Sequence, residues 1–418
     1  MADEELERQI PASLRSAFDR ERHPFLVWEQ IQRIPEEIRS LSAAPISAAV
    51  AKAARLWDHV GVVHVIGCGT SLFAAQVVPY LLAPAGRVAE AHQAFSFQDV
   101  ARGIPRRDPP DRALIAVSHT GTTAAVLDAC QLARERGLPI VGLTDDADSP
   151  LAQTADVTIL DGLGPEPCLP KSRSYLAAIL KEHLLAQALQ SSSPDQPAVA
   201  LDLDRLAAEA ARLLAAPTQS GLRDLAVQTA TLGTGQCQGE RAGGQRDTGQ
   251  HASGLQAGGQ QDDALRASRP RHIWLVGSGP NAATAYEGAL KLQEMAQEPA
   301  LGFELEEVMH GPWVMMEPGD LVIVIRVSGA SKEKATRFCE ALRPLTVHIW
   351  DISDDEAAPP WATAHTALPV LPETLSTVLA IVPIYLFAYF YALERGRRPD
   401  SMRLLDQRYL QARLRLPR

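Results

Sequence analysis

Residues 60–83 read VGVVHVIGCGTSLFAAQVVPYLLA, and this stretch decides the fold. A short run rich in valine predicts a buried strand, Gly67 and Gly69 predict a tight turn, and the apolar residues after Ser71 recur with helical spacing. Residues 272–290, HIWLVGSGPNAATAYEGAL, repeat the same strand, glycine turn and helix. Strand–turn–helix units of this kind build parallel sheets that are covered by helices.

Two further strand–turn units are repeated in the same order. Residues 112–133, RALIAVSHTGTTAAVLDACQLA, correspond to residues 320–342, and LPIVGLTDD at 138–146 corresponds to TVHIWDISDD at 346–355. The offset stays between 208 and 210 residues for all three units, which indicates an internal duplication. We therefore predict an α/β protein of two tandem domains, each a three-layer αβα sandwich around a parallel sheet.

The rest of the chain is organised around these two copies. In residues 235–263, fifteen of 29 positions are Gly or Gln, and such a segment buries too little apolar surface to offset its ordering entropy. We favour a tolerated surface insertion over a regulatory element. The predicted divisions are a helical lead-in at 1–45, a first domain at 46–215, a disordered Gly/Gln-rich linker at 216–270, a second domain at 271–395 and a C-terminal tail at 396–418.

Composition argues against several functional classes. The net charge of −10 argues against nucleic acid as the main partner, because phosphate backbones select basic surfaces. Five scattered cysteines without a C-x-x-C pair favour free thiols in a reducing cytosol over disulfides or a zinc site. Residues 374–393 are uncharged and nearly long enough to cross a bilayer, but Pro383 and their isolation in an α/β chain favour a buried core helix. We expect a cytoplasmic protein with no membrane span, metal or organic cofactor.

Hydroxyl-rich turns follow two of the predicted strands. They are Gly67-Cys68-Gly69-Thr70-Ser71 and Ser118-His119-Thr120-Gly121-Thr122-Thr123. Ligands of open α/β folds bind at strand carboxyl ends, and a helix N-terminus there attracts anions. Two such turns favour a bound phosphate over ordinary helix capping. A dinucleotide site is the weaker alternative, because it leaves the second turn unexplained. Gly277-x-Gly279-x-x-Ala282 fits its glycine pattern with Glu298 as the acidic residue, whereas Leu72 breaks the pattern after Gly67-x-Gly69, to which Glu90 would correspond.

Charged side chains recur on the helix that follows Gly279. Glu287, Lys291, Glu294 and Glu298 lie at i, i+4, i+7 and i+11, which places them on one helical face. A solvated salt-bridge stripe is the usual meaning of such spacing. The alternative is an active site for sugar isomerisation, in which a carboxylate transfers a C–H proton and His310 protonates the ring oxygen. Spacing alone leaves both interpretations open.

Five motifs together resemble one known family. They are GCGTS (67–71), SHTGTT (118–123), GPEPCLPKSRSY (164–175), EGALKLQE (287–294) and HGP (310–312). In this order they are similar to the isomerase half of glucosamine-6-phosphate synthase. They are also similar to other double sugar-isomerase (SIS) proteins, which include amino-sugar-phosphate deaminases and aldose–ketose isomerases. The resemblance extends from residue 23 to about residue 407, apart from the linker.

The resemblance implies a role for each matching residue. The substrate-binding residues are expected to be Gly69, Thr70, Ser71, Ser118, His119, Thr120 and Thr123, with the backbone of Leu169 touching the sugar. Glu294 is expected to be the proton shuttle, with Glu287 and Lys291 on the same helix and His310 as the ring-opening group. The implied activity is that of an isomerase or deaminase of a hexose or hexosamine 6-phosphate, and we expect a homodimer. A non-catalytic sugar-phosphate-binding regulator is the alternative, and the retention of Glu294 and His310 favours the enzyme.

Three differences from the family pattern bear on the reaction. The chain begins MADEELERQ, without the cysteine nucleophile and glutaminase domain of the synthase, so it is not expected to take ammonia from glutamine. Gln407 stands where the synthase has a lysine that forms a Schiff base with the keto sugar. His119 and Thr122 replace the usual glutamine and glutamate of the phosphate loop, which indicates a different sugar.

Overall fold

Two five-stranded parallel sheets form the framework of the protein. This computed structural model describes residues 10, 12–190, 201–232 and 272–416. The strands are β1 (Val62–Gly67), β2 (Val88–Gln93), β3 (Arg112–Val117), β4 (Ile140–Thr144), β5 (Val157–Leu160), β6 (Ile273–Gly277), β7 (Ala300–Glu304), β8 (Leu321–Arg326), β9 (His348–Ser353) and β10 (Ala364–Ala367). Their orders are β2-β1-β3-β4-β5 and β7-β6-β8-β9-β10. The two orders are the same strand for strand, so the predicted tandem α/β fold is confirmed.

Helices cover both faces of each sheet. The α-helices are α1 (Leu26–Gln32), α2 (Ile34–Ser40), α3 (Ala44–Leu56), α4 (Thr70–Ala75), α5 (Val78–Leu82), α6 (Ala94–Gly103), α7 (Ala124–Glu135), α8 (Pro150–Thr154), α9 (Arg173–Gln190), α10 (Leu203–Leu213), α11 (Ala216–Leu232), α12 (Asn281–Lys291), α13 (Leu305–Met309), α14 (Lys332–Leu342), α15 (Glu373–Glu394) and α16 (Gln407–Arg415). The described 3₁₀ helices are Ala12–Ala17, Ala83–Ala85, Pro312–Met315, Arg343–Leu345 and Pro399–Ser401, and Leu292–Ala296 is a π-helical turn. The largest core, the central core, includes α9, α12 and α15 and joins the two sheets. Helices α6 and α7 cover the outer face of the first sheet, and α13 and α14 cover that of the second.

The strands are recognisable in the sequence because they are buried on both faces. In β3, Ile115 and Val117 enter the central core, whereas Leu114 and Ala116 enter the outer core of the first domain. A strand that is covered on both sides reads as a continuous apolar run rather than as an alternating one. This arrangement places the carboxyl ends of β1 and β3 side by side.

The long apolar helix α15 lies in the central core. By length and composition it could cross a membrane, but 94% of its most apolar window is buried inside the protein. Polar groups on the helix have partners there: Tyr385 donates a hydrogen bond to Glu287, and Ser376 accepts one from Asn281. The interpretation of residues 374–393 as a buried core helix is therefore confirmed.

The linker prediction is wrong for residues 216–232. These residues form helix α11, which packs against α15 and places Leu222, Leu225 and Ala226 in the central core. The three positions share one helical face, but Gln, Ser and Gly surround them, and such a narrow apolar stripe does not indicate a helix in the sequence. Residues 233–271, with the Gly/Gln-rich stretch 235–263 and its predicted disorder, lie outside the described residues.

The lead-in helices pack into the central core and contact the C-terminal tail. Val27 and Ile31 of α1 and Ile38 of α2 are fully buried in the central core. The carboxylate of Asp400 accepts hydrogen bonds from the backbone N–H groups of Leu26, at 2.7 Å, and Val27, at 2.8 Å. A negative charge at this position is favoured by the dipole of α1. The lead-in therefore holds the C-terminal tail in place.

Candidate active site

The turn after β3 presents hydroxyl groups at the N-terminus of α7. Oγ of Ser118 lies 3.1 Å from Oγ1 of Thr123, and the hydroxyls of Thr120 and Thr122 are 2.9 Å apart. Thr123 is the N-cap residue, yet no side chain of the described residues caps this helix. Because the hydroxyls pair with one another, the turn differs from an ordinary N-cap. An anion here would meet both the hydroxyls and the positive end of the helix dipole.

Gly121 allows this turn to close. Its φ is +62°, and a Cβ atom at this position would lie 2.2 Å from Oγ of Ser149. Its N–H donates to the carbonyl of Ser118 at 2.9 Å, and its own carbonyl accepts from the N–H of Leu151 at 3.0 Å. Both the left-handed conformation and the close approach require glycine, so any side chain here would displace the turn.

A buried polar network lies beneath the turn. Nδ1 of His119 is 3.5 Å from Oδ1 of Asp145, and its Nε2 has no hydrogen-bond partner within the described chain. Asp161 pairs with Lys181 in the same network. Burial lowers the pKa of His119 to about 4 and raises the pKa of Asp145 to about 6. His119 is therefore neutral near pH 7 and, like the glutamine expected at this position, can form hydrogen bonds without carrying a charge.

Asp145→Asn should change how stability depends on pH. The carboxyl group has a pKa of about 6 when folded and 3.8 ordinarily, so its native state binds more protons than its unfolded state. Its contribution to stability is complete below about pH 4 and is lost as the pH rises through about 6. We expect Asp145→Asn to gain stability relative to the wild type between about pH 4 and pH 7, as measured by denaturant unfolding. The exposed Asp148 provides the control Asp148→Asn, and an equal pH dependence in both variants would contradict the assignment.

The segment after β5 is organised around Glu166, which the sequence pattern did not single out. This buried carboxylate accepts hydrogen bonds of 2.6–3.1 Å from the N–H and hydroxyl groups of both Ser172 and Ser174. Burial alone would raise its pKa, but Lys171 and the two serine hydroxyls outweigh burial, and the pKa is lowered. Leu169 lies in this segment, half-buried against apolar residues of the lead-in and the tail. The anionic Glu166 therefore fixes the loop that carries Leu169.

Glu287, Lys291 and Glu294 form a buried cluster where the two domains meet. Nζ of Lys291 donates to Glu294, lies 3.5 Å from Oε1 of Glu287 and donates to Oγ1 of Thr70 at 3.1 Å. Thr70 belongs to the turn after β1, so this contact joins the second domain to the first. The side chains of Glu287 and Lys291 are 0% exposed, and that of Glu294 is 16% exposed. The interpretation as a solvated stripe is therefore wrong for these three residues.

The charges in this cluster depend on one another. Burial raises the pKa of Glu287 to about 7, while Lys291 opposes the shift. Burial disfavours the charge on Lys291, but Glu287 and Glu294 outweigh burial and raise the lysine pKa. Tyr385 donates a hydrogen bond of 3.0 Å to Glu287. The lysine thus remains a cation that holds both carboxylates, and the less buried Glu294 is the carboxylate that a ligand can reach.

Helix α12 continues into the π-helical turn that contains Glu294. Such turns shift the register of side chains and are frequent at functional sites. Gln297 then has a φ of +58° and ends the helix. Glu298 lies beyond this end, with its Oε2 3.4 Å from Nε of Arg395. The prediction of one shared helical face is therefore wrong for Glu298.

The turn after β1 brings its glycines and hydroxyls to the same place. Gly69 has a φ of +54°, and a Cβ atom at Gly67 would lie 2.5 Å from the backbone carbonyl carbon of Ser71. Thr70 and Ser71 are buried at the start of α4, and Thr70 contacts Lys291. Since β1 and β3 are neighbours, both hydroxyl-rich turns lie at the carboxyl edge of the first sheet.

His310 lies apart from the cluster. It follows α13, its side chain is 79% exposed, and its Nε2 is 3.7 Å from Oε2 of Glu306. Three exposed apolar residues follow after Gly311 and Pro312, namely Trp313, Val314 and Met315. Among the described residues, no hydrogen bond or ion pair joins His310 to Glu294.

A cavity of about 420 Å³ opens beside Glu294. Its lining includes Glu294, Gln297, Met402, Arg403 and Tyr409. The guanidinium of Arg403 lies 4.0 Å from the centroid of the Tyr409 ring. These tail residues belong to no motif, so sequence reasoning did not find them. Gln407 begins α16 and is exposed.

The corresponding turn of the second domain is filled by its own charged side chains. Arg326 pairs with Asp351 through two hydrogen bonds of 3.0 and 2.9 Å. Asp354 accepts a hydrogen bond of 2.8 Å from the backbone N–H of Ser328 and pairs with Lys332 at 2.6 Å. The carboxylate of Asp354 thus binds the N–H and ammonium groups that an external anion would need. The turn after β3 in the first domain is therefore the one that is open to an anion.

Comparisons with known proteins agree with this architecture. A family model described as the SIS domain matches residues 60–188 and 267–389. The glutamine–fructose-6-phosphate aminotransferase (isomerizing) of Pyrococcus horikoshii is 27% identical over 385 residues, covering 91% of this chain and 56% of that protein. The enzyme of the same name from Gloeobacter violaceus is 28% identical over 349 residues, covering 82% and 51%. This chain thus spans about half the length of the curated relatives it matches.

Solved structures share the whole two-domain arrangement. Tagatose-6-phosphate ketose/aldose isomerase from Escherichia coli has a TM-score of 0.67 at 17% identity, covering 91% of this chain and 95% of that one. Glucosamine-6-phosphate deaminase from Thermotoga maritima has a TM-score of 0.62 at 19% identity, covering 90% and 97%. Identities this low show the fold alone, which is that of tandem parallel αβα domains. With two matched segments that cover more than half of its length, the chain belongs to the SIS-domain family.

Proposed function

We propose that this chain is an isomerase or amino-sugar-phosphate deaminase that acts on a hexose or hexosamine 6-phosphate in the cytoplasm, as a homodimer. The contact from Glu294 through Lys291 to Thr70 carries this proposal, because it joins a reachable carboxylate to the hydroxyl-rich edge of the first sheet. The names of the similar proteins support the same class, since they include an isomerizing aminotransferase, a ketose/aldose isomerase and a deaminase.

In the proposed mechanism Glu294 moves a proton between C1 and C2 of the open-chain sugar. Its carboxylate takes a proton from C1 of a ketose, which forms an enediolate, and a proton passes from O1 to O2. The carboxylate then returns its proton to C2, which forms the aldose. Lys291 orients this carboxylate, and Glu287 balances the buried ammonium charge. The cavity beside Glu294 has the size of a small-ligand site.

The phosphate is proposed to bind at the turn after β3. The uncapped N-terminus of α7 and the paired hydroxyls support this assignment. The proposed substrate-binding residues remain Gly69, Thr70, Ser71, Ser118, His119, Thr120 and Thr123, with Leu169 at the sugar. The filled turn of the second domain supports placing the phosphate in the first.

Ser118→Ala combined with Thr120→Ala should weaken sugar-phosphate binding by about tenfold or more. A hydrogen bond to a charged group contributes about 1.5–3 kcal/mol, and about 1.4 kcal/mol corresponds to tenfold. Calorimetric titration with fructose 6-phosphate and glucosamine 6-phosphate measures the loss. Ser328→Ala, at the filled turn of the second domain, is the matched control and should bind as the wild type does. Normal binding by the double variant would mean that these hydroxyls serve only the local structure.

A non-catalytic sugar-phosphate-binding regulator is the second candidate, and the position of His310 favours it. This residue is 79% exposed, and its described ion pair is with Glu306 rather than with the Glu287–Lys291–Glu294 cluster, so no contact within the described chain supports a ring-opening role for it. Incubation with fructose 6-phosphate in D₂O separates the two candidates. An isomerase incorporates deuterium at the carbon next to the carbonyl, whereas a regulator binds the sugar without exchange.

A further inference from the structure

His64, Glu90 and His92 bring three metal-ligating groups together on the first sheet. In the parallel register of β1 and β2, His64 pairs with Glu90, and Ile66 pairs with His92. Residues two apart on a strand point to the same face, so all three side chains lie on the outer face of the sheet, where Phe97 of α6 packs.

The distances within this triad match those between the ligands of one ion. Nδ1 of His64 is 3.2 Å from Nε2 of His92 and 3.3 Å from Oε2 of Glu90. Nε2 of His92 is 3.5 Å from Oε2 of Glu90. Tetrahedral Zn²⁺ binds these atom types at about 2.0–2.2 Å, which separates its ligands by about 3.3–3.5 Å. Hydrogen bonds from N–H to oxygen prefer about 2.9–3.0 Å. The triad therefore fits a shared ion better than a set of direct hydrogen bonds.

The surroundings of the triad leave room for a further ligand. The side chain of His64 is 1% exposed, that of His92 is 21% exposed and that of Glu90 is 48% exposed. The ring of Phe97 lies 5.2 and 5.4 Å from the two imidazole centroids and limits their movement. An ion would be held from the protein side by three ligands and would complete a tetrahedron with water from the solvent side.

We propose that His64, Glu90 and His92 form a site for a divalent transition-metal ion, with Zn²⁺ as the best match to two imidazoles and one carboxylate. The site would join the edge strand β2 to β1 and stabilise that edge of the first domain. The scattered cysteines indicated no zinc site, and this triad uses none of them. It also lies apart from the Thr70–Lys291 contact, on the outer face of the sheet.

Arg112 sets the proton position in the metal-free triad. Its Nη1 lies 3.3 Å from Nε2 of His64. Because a guanidinium can only donate, Nε2 accepts this hydrogen bond and the imidazole proton is on Nδ1. Binding an ion at Nδ1 moves that proton to Nε2 and displaces Arg112, which costs free energy. We therefore expect Arg112→Met to bind the ion more tightly than the wild type does.

Zinc titration of the full chain, prepared without a histidine tag and stripped with EDTA, tests the proposal. We expect one Zn²⁺ per chain by calorimetry and elemental analysis, a rise in melting temperature with Zn²⁺, and the visible spectrum of tetrahedral Co²⁺ after substitution. Glu90→Gln and His92→Ala should each weaken binding by about tenfold or more. Both side chains are partly exposed, so these variants are expected to fold, which circular dichroism checks.

The matched control is His59→Ala, which removes an exposed histidine just before β1. It should bind Zn²⁺ as the wild type does. Every variant should also bind fructose 6-phosphate as the wild type does, because the triad lies apart from the proposed sugar site. Failure of the metal site and failure of the proposed function can therefore be told apart. The metal site is refuted if Glu90→Gln combined with His92→Ala binds as much Zn²⁺ as the wild type, or if the wild type binds none.

Discussion

Glu294→Gln is expected to lower the turnover of a hexose 6-phosphate by about 10²–10⁴-fold while sugar-phosphate binding is retained. The amide is close in size to the carboxylate but cannot accept a proton from carbon. Lys291 contacts this carboxylate and Thr70, so the shape of the site and its link to the first domain should persist in the variant.

Deuterium incorporation from D₂O measures this effect directly at the carbon next to the carbonyl. The wild type should exchange deuterium, and Glu294→Gln should show almost none. Glu298→Gln is the control, because Glu298 is a nearby carboxylate that pairs with Arg395 instead of Lys291. If Glu298→Gln loses exchange and Glu294→Gln keeps it, the proton shuttle has been assigned to the wrong residue. A wild type that binds the sugar without exchange, isomer or ammonia would support the regulator.

Lys291→Met is expected to destabilise the protein by about 3–5 kcal/mol near pH 8, because it leaves Glu287 buried without a cation. Both side chains are 0% exposed, and neither can reach water to relieve the loss. The pKa of Glu287, already raised to about 7 by burial, should rise further without the lysine. Protonation then removes the unpaired charge, so the destabilisation should be smaller at pH 5 than at pH 8.

Denaturant unfolding of two further variants tests this explanation. Lys291→Met combined with Glu287→Gln should recover part of the lost stability, because it removes both charges. Lys334→Met removes a lysine that is 53% exposed and pairs with Glu306 at the surface, and it should cost less than about 1 kcal/mol. Equal destabilisation by Lys291→Met and Lys334→Met would mean that the buried cluster contributes no more than a surface ion pair.

The sequence by itself determined the fold, because the evidence for the fold is local. Each strand is an apolar run that is buried on both faces, and each close turn carries glycines such as Gly67 and Gly121 that no other residue could replace without displacement. The constant offset between the copies then predicted two equal domains. Helix α11 was missed because its buried face consists of few residues, and contact with α15 stabilises it more than its own periodicity indicates.

The candidate site was predictable only in part. Helical spacing placed Glu287, Lys291 and Glu294 together, but the same spacing fitted a solvated stripe equally well. The tertiary structure decided between these interpretations, because the burial of the three side chains and the contact with Thr70 come from a domain more than 200 residues away in the chain.

Only the tertiary structure determined the groups that come from distant segments. Arg403 and Tyr409 reach the cavity beside Glu294 through the C-terminal tail, and His64 meets Glu90 through strand register. Glu166 is held by serines six and eight residues away, but no pattern in the sequence shows that this loop closes around it. The same long-range packing leaves His310 exposed, away from Glu294. Periodicity in the sequence indicates which face of a helix or strand is apolar. Which element packs against that face depends on how all helices and strands pack together, and no local sequence pattern encodes that packing.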